Sequence, residues 1–110
     1  MEEVKRGQLW YCNFGDDAIG SEQSGIRPCV IVQNNKGNKF SPTTIVSPIT
    51  TQVKAPLPTH VRIDSLKRPS TIVCEQVRTV DKRRLIDCIG ALSIEEYSAM
   101  DNAIKISMGV

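Results

Sequence analysis

Turn-forming residues cut this chain into short pieces along most of its length, and that punctuation limits the folds open to it. Glycine, proline, asparagine and aspartate gather at residues 15–20, 34–38, 55–58 and 64–69, and Gly90 interrupts a later apolar run. Between these points lie brief runs rich in valine, isoleucine and threonine, which suit strands better than long helices. Residues 7–14 are expected to form the first strand, with Leu9, Tyr11 and Asn13 on one face and Trp10, Cys12 and Phe14 on the other. Further strands are expected at 28–33, 43–49, 60–63, 70–77 and 85–92. The segment 34–38 reads as a hairpin-type connection, because its residues tolerate positive φ. Pro48 cannot donate to a ladder, so the third strand should lie at an edge, bulge or end there. Residues 50–59 read as a proline-stiffened loop and 78–84 as a basic turn.

One helix is well signalled. Ser93 and Glu96 have the Ser-x-x-Glu spacing of a capping box, with Leu92 and Tyr97 available as a hydrophobic staple. Tyr97, Met100, Ile104 and Met108 then recur at helical spacing, giving one apolar face. Short strands followed by a terminal helix predict a mainly β fold: a small antiparallel barrel closed by that helix, in one domain over residues 1–110.

Composition narrows function mainly by exclusion. A net charge of +2 means that any nucleic-acid binding must come from a local patch. No apolar run approaches a membrane span and the first residues do not resemble a signal peptide, so no membrane association and a cytoplasmic location are expected. Cys12, Cys29, Cys74 and Cys88 are widely spaced within presumptive strands, the habit of small buried hydrophobes in a reducing compartment. With His60 the sole histidine, neither a metal site nor any other cofactor is expected. Phosphate-binding glycine loops and a nucleophile elbow are missing from the sequence. Polar loops rich in Arg, Lys, Thr and Gln remain, suited to an anion.

Arg27 stands out among them. It joins the polar loop 20–26 to the β-branched run that starts after Pro28, and Pro28 favours an extended Arg27. A guanidinium at such a junction either grips a phosphate or forms an ordinary ion pair at a strand end, and the residue itself leaves both open.

The stretch Gly20-Ser-Glu-Gln-x-Gly-x-Arg-Pro28 resembles the signature of the MazF/PemK-type toxins of toxin–antitoxin pairs. The resemblance continues through Gln33-Asn34, Ser41-Pro-Thr43, Ile49-Thr50, Pro58-Thr-His60 and Glu75-Gln76-x-Arg-Thr-x-Asp-Lys82 to Ile106-Ser107, nearly the whole chain. It implies an SH3-like barrel of the CcdB/PemK type and a homodimer. It also implies a metal-independent, sequence-specific endoribonuclease acting on single-stranded RNA, and a cognate antitoxin with which the toxin binds DNA as a complex. The family's catalytic arginine and threonine fall on Arg27 and Thr50, and its RNA-facing loop on Gly20, Ser21, Glu22 and Gln23.

Metal-free cleavage uses the RNA's own 2′-OH against the neighbouring phosphate, leaving a 2′,3′-cyclic phosphate and a 5′-OH. It needs a base, an acid and stabilisation of the phosphorane charge. Arg27 suits the last task and could serve as the acid, while Thr50 offers a hydroxyl to the same phosphate. Arginine is a poor base, which leaves Glu22 or His60, although Glu22 has an equal claim to be a loop carboxylate paired with Arg27 or a lysine. Gln23, Thr51, Gln52 and Gln76 suit contacts to base edges, and Lys54, Arg78 and Lys82 contacts to phosphates. His60 is also counted among the RNA-facing residues. Two alternatives are a gyrase poison without nuclease activity on the same barrel and a non-catalytic protein-interaction barrel.

Overall fold

The computed structural model describes residues 3–52 and 54–110. Seven strands run in the order β1 (Gln8–Asn13), β2 (Ile26–Ile31), β3 (Thr43–Thr50), β4 (His60–Ile63), β5 (Ser70–Val73), β6 (Arg78–Asp81) and β7 (Leu85–Ala91). Helix α1 (Asn35–Phe40) joins β2 to β3, and α2 (Ile94–Met108) ends the fold. All pairings are antiparallel, in the order β4-β5-β3-β2-β1-β7, with β6 also on β3.

Because side chains alternate across a strand, this coiled sheet carries a hydrophobic cluster on each face. One contains Trp10, Cys12, Phe14, Cys29, Ile31, Val46, Val80 and Leu85. The other contains Leu9, Val30, Ile49, Val61, Ile63 and Ile72, and takes Met100 and Ala103 from α2. The expected barrel is only partly closed. Among the described residues no ladder joins β4 to β7, the two ends of the strand order. Side chains bridge what backbone pairing leaves open, with Ile89 of β7 and Ile104 of α2 packed on the second cluster.

Helix α2 is set by the capping box foreseen at Ser93 and Glu96. Glu96 does more than cap: its carboxylate also accepts from the Asp64 backbone N–H and the Ser65 hydroxyl, tying the helix to the loop after β4. Met100 and Ala103 are its buried residues, whereas Met108 at the end of the expected apolar face is exposed. Tyr97 lies over Gly7, whose φ of +90° and lack of Cβ let the ring approach.

The expected hairpin at 34–38 is instead the start of α1. Asn34 caps it by accepting from Gly37 N, and Asn38 is buried beneath it. The Asn38 Oδ1 accepts from the Thr44 hydroxyl at 2.6 Å and from Gln33 Nε2 at 3.1 Å, while its Nδ2 donates to Gln33 O at 2.9 Å. Pro48 does not end β3 or mark an edge. It sits between Val46, where pairing with β6 stops, and Ile49, where pairing with β5 starts, so the missing N–H falls at a handover between neighbours. Two other segments differ from expectation. Strand β5 stops at Val73 and Cys74–Gln76 form a 3-10 turn, while the basic turn includes β6 and a second 3-10 turn, Lys82–Arg84.

Cys12, Cys29 and Cys74 are buried thiols and Cys88 is half-buried. Burial pushes the Cys74 thiol up to about 12, which keeps it neutral. No helix among the described residues is long and apolar enough to cross a membrane.

Candidate active site

The pairing of β2 with β3 runs Ile31↔Val46, Val30↔Ser47 and Cys29↔Pro48. Carried two residues further, the same register sets Arg27 opposite Thr50. Alternation puts Arg27 on the face of Cys29 and Ile31, and Thr50 on the face of Pro48 and Val46. Cys29, Ile31 and Val46 belong to one cluster, so the catalytic pair expected from the sequence stands at the open rim of that cluster. Arg78 shares this face: it pairs with Val46, and its guanidinium lies 5.3 Å from the centroid of the Phe14 ring.

Arg27 is exposed, and its Nε donates to Ser24 O at 3.1 Å. Among the described residues it forms no ion pair. That removes the ordinary strand-end ion pair and leaves the outer guanidinium nitrogens facing solvent. Thr50 is half-buried, and its hydroxyl oxygen accepts from Gln52 N at 3.1 Å, which turns the chain as it leaves β3.

The loop before β2 is drawn shut at its neck. Gly25 N donates to Gly15 O at 2.6 Å and Phe14 N to Gly25 O at 2.9 Å. Both glycines have positive φ, +83° and +72°, which side-chain-bearing residues rarely adopt. Within the loop, Glu22 Oε1 accepts from Ile19 N at 2.8 Å, so that oxygen holds a turn rather than a cation. Gln76 Nε2 donates to Ser21 O at 3.2 Å and fastens the loop to the 3-10 turn after β5. Glu22, Gln23, Pro48, Gln76, Val77 and Arg78 then line a recess of about 170 Å³. Gly20, with φ +61°, turns the chain into this lip.

The remaining sequence candidates separate. Thr51 lines a second groove of about 650 Å³ with Tyr11, Pro28, Lys67, Arg68 and Ile89. Gln52 and Lys54 are exposed in the loop between β3 and β4. His60 is engaged on both ring nitrogens: Nε2 lies 2.9 Å from Glu75 Oε2 and Nδ1 lies 2.8 Å from Ala55 O. Burial alone would raise the Glu75 carboxyl, but hydrogen bonds from His60 and Thr59 and from its own backbone hold it below the ordinary carboxylate range. Lys82 is not at this end of the sheet. Its ammonium donates to Asn38 O, beside the Thr43↔Asp81 end of β3, seven residues or roughly 23 Å of strand from Thr50.

Glu75 belongs to a stretch that carries the family resemblance but has no role assignable from sequence, and nothing in the sequence singles out Tyr11, Lys67 or Arg68, because what recommends all four is spatial. Among the described residues, no three of His, Cys, Asp and Glu gather closely enough to hold a metal ion. The site therefore offers two guanidinium groups, a threonine hydroxyl and a carboxylate around an apolar rim, a set suited to phosphate.

A family model described as the PemK-like, MazF-like toxin of type II toxin–antitoxin systems matches residues 5–108. Endoribonuclease EndoA of Bacillus subtilis (strain 168) is 46% identical over 112 residues, covering 97% of this chain and 96% of that protein. The crystal structure of MazF from Deinococcus radiodurans superposes with a TM-score of 0.86, covering 100% of both chains at 20% identity. An endoribonuclease in complex with its cognate antitoxin, from a Mycobacterial species, superposes with a TM-score of 0.83 at 22% identity, covering 97% of this chain and 96% of that one. At these identities the superpositions speak for the fold.

Proposed function

The chain belongs to the PemK-like, MazF-like toxins of type II toxin–antitoxin systems, and from that premise we propose that it is a sequence-specific endoribonuclease acting on single-stranded RNA. It acts as a single toxin domain in the cytoplasm, where cutting mRNA stops translation and growth. Its partners are a second copy of itself and a cognate antitoxin. The observation that carries the reading is an exposed Arg27 guanidinium without an ion pair among the described residues, which the β2–β3 register, continued two residues past its last pair, sets on one rung with the Thr50 hydroxyl.

The scissile phosphate sits against this rung. The 2′-oxygen forms its bond to phosphorus as the bond from phosphorus to the 5′-oxygen breaks, giving a 2′,3′-cyclic phosphate and a 5′-OH. Arg27 and the Thr50 hydroxyl donate to the non-bridging oxygens, where phosphorane charge collects. Arg27 also supplies the proton that the leaving oxygen takes. Glu22 is the better of the two base candidates. Its Oε1 holds Ile19 N while Oε2 has no partner among the described residues, whereas both nitrogens of His60 are occupied. Arg78 holds a flanking phosphate, and Gln23, Gln76, Thr51 and Gln52 read base edges.

The test is to incubate the purified protein with a long RNA in EDTA and map the new ends. Cuts at a recurring sequence with 5′-OH and cyclic phosphate ends are expected, and replacing the 2′-OH at a cut by hydrogen should abolish that cut. Intact RNA, or cleavage that survives the deoxy substitution, overturns the reading. Gyrase inhibition without RNA cleavage would select the gyrase poison instead.

A further inference from the structure

Two loops flank the Arg27–Thr50 rung, and consecutive residues of one 3-10 turn hold both. Gln76 reaches Ser21 in the loop before β2. Glu75 reaches the far end of the loop that leaves Thr50: its Oε1 accepts from the Thr59 hydroxyl at 3.0 Å and its Oε2 faces His60 Nε2 at 2.9 Å. The other face of the ring, Nδ1, meets Ala55 O at 2.8 Å, four residues before Thr59. Backbone bonds complete the tie, from Cys74 N to Thr59 O and from His60 N to Leu57 O, both at 2.9 Å.

The chemistry of the ring's two partners is decisive. A carboxylate and a backbone carbonyl are both acceptors only, and a neutral imidazole has a single N–H. Both contacts are hydrogen bonds only when the ring carries two protons. A neutral ring must leave either Ala55 or Glu75 facing a lone pair. Glu75 is the charged group that faces the ring. His60 is paired with Val73 of β5, its ring meets the Ala55 carbonyl from the loop, and Thr59 meets the other oxygen of Glu75. Lys54 is exposed in that loop, and the neighbouring Cys74 is buried.

We propose that the doubly protonated His60, held between Glu75 and Ala55, is a positioning residue for RNA cleavage, fixing the loop that leaves Thr50 and carries Thr51 against the turn that also anchors the Gly20–Gly25 loop through Gln76. His60 is thus neither base nor acid in the reaction. When the ring loses a proton, one tie is lost, and Thr51 just past the end of β3 is held less firmly. The inference rests on the assignment of Arg27 and Thr50 to the reaction.

The experiment measures single-turnover cleavage of RNA by the full chain as a function of pH, from about pH 5 to about pH 8. Wild type, His60→Gln, Glu75→Gln, the double variant and Arg27→Ala are compared. Glutamine fills the space of His60 with one amide that cannot serve both acceptors and does not titrate. The wild-type rate constant should fall about ten- to a hundredfold as the ring deprotonates, with KM little changed. His60→Gln should start at the lower value and lack that descending limb; Glu75→Gln, whose amide can accept from a doubly protonated ring or donate to a neutral one, should keep the faster rate across the range; and the double variant should be no slower than His60→Gln. Nitrogen NMR of the wild-type ring, which needs no variant to fold, should show two protonated nitrogens in the fast state and the same midpoint as the rate. A ring that is neutral throughout the active range overturns the proposal. So does activity that rises as the ring deprotonates and vanishes in His60→Gln but not in Glu75→Gln, since that is the behaviour of a base. Unchanged kinetics in both variants with Arg27→Ala inactive overturns the brace alone. Full activity in Arg27→Ala overturns the brace together with the site it serves.

Discussion

Removing the Arg27 side chain separates catalysis from folding, because the structure gives it so little to hold. Among the described residues its side chain makes one hydrogen bond, from Nε to Ser24 O, at the surface, next to a neck already closed by Gly15 and Gly25. An exposed bond of that kind is worth below about 1 kcal/mol, and the poorer strand propensity of alanine adds less than about 1 more. Arg27→Ala should therefore lose at most about 2 kcal/mol of stability. The chemical loss is far larger. Losing one preorganised donor to a developing oxyanion costs about a hundred- to a thousandfold in rate, and a guanidinium fork presents two. The cleavage rate should fall at least about a thousandfold, which is about 4 kcal/mol of transition-state stabilisation. Arg27→Lys keeps the charge without the planar fork and should fall between the two. Single-turnover cleavage of a short RNA bearing one mapped site measures the rate, and urea unfolding of the same preparations measures stability. Activity of Arg27→Ala within tenfold of wild type would refute the catalytic role. A stability loss well above about 2 kcal/mol would show that the residue holds the fold instead.

Three further outcomes concern the frame around the site. Asn38→Ala takes the acceptor from the buried Thr44 hydroxyl and the donor from the Gln33 carbonyl, leaving the Gln33 amide only Thr43 O, and should cost about 2–4 kcal/mol, read as a lower urea midpoint at unchanged slope; a loss under about 1 would contradict it. Gly7→Ala puts a Cβ 2.6 Å from Tyr97 Cε2 at a φ of +90°, so its melting temperature should drop by the equivalent of at least about 2 kcal/mol, and trimming Tyr97 in the same protein should restore only part of it. Burial alone would raise the Glu96 carboxyl, but hydrogen bonds from Ser65 and from the Ser93 and Asp64 backbone hold it below the ordinary range. The stability this gives is present above the unfolded carboxyl's value, about 4, and is lost as pH falls through the lower folded value. Glu96→Gln, which keeps a capping-box residue, should therefore lose less of its stability on acidification than wild type, as followed by urea midpoints.

What the sequence disclosed depended on how far apart the interacting groups lie along the chain. The capping box of α2 spans Ser93 to Glu96 and was legible, as was the alternation in β1 that sends Trp10 and Cys12 to one cluster and Leu9 to the other. Helix α1 is equally local and was still missed. Its six residues include Gly37, and asparagines favour both turns and caps, so nothing in the segment distinguishes Asn34 as an N-cap from Asn34 as a turn residue. The deciding fact is the burial of Asn38 under Thr44, a tertiary contact. Pro48 misled for the converse reason: the lost N–H was certain, but whether it faces a ladder or a handover depends on where β6 stops and β5 begins. The site follows the same rule. Arg27 and its loop are contiguous and gave a motif, and the opposition of Arg27 and Thr50 needed the β2–β3 register. The Gln76–Ser21 clasp joins residues 55 positions apart, and His60 meets Glu75 across 15. A lone histidine in a sequence suggests a base. The same histidine has both ring nitrogens engaged, one by a carboxylate and one by a carbonyl, and only the fold supplies those two neighbours.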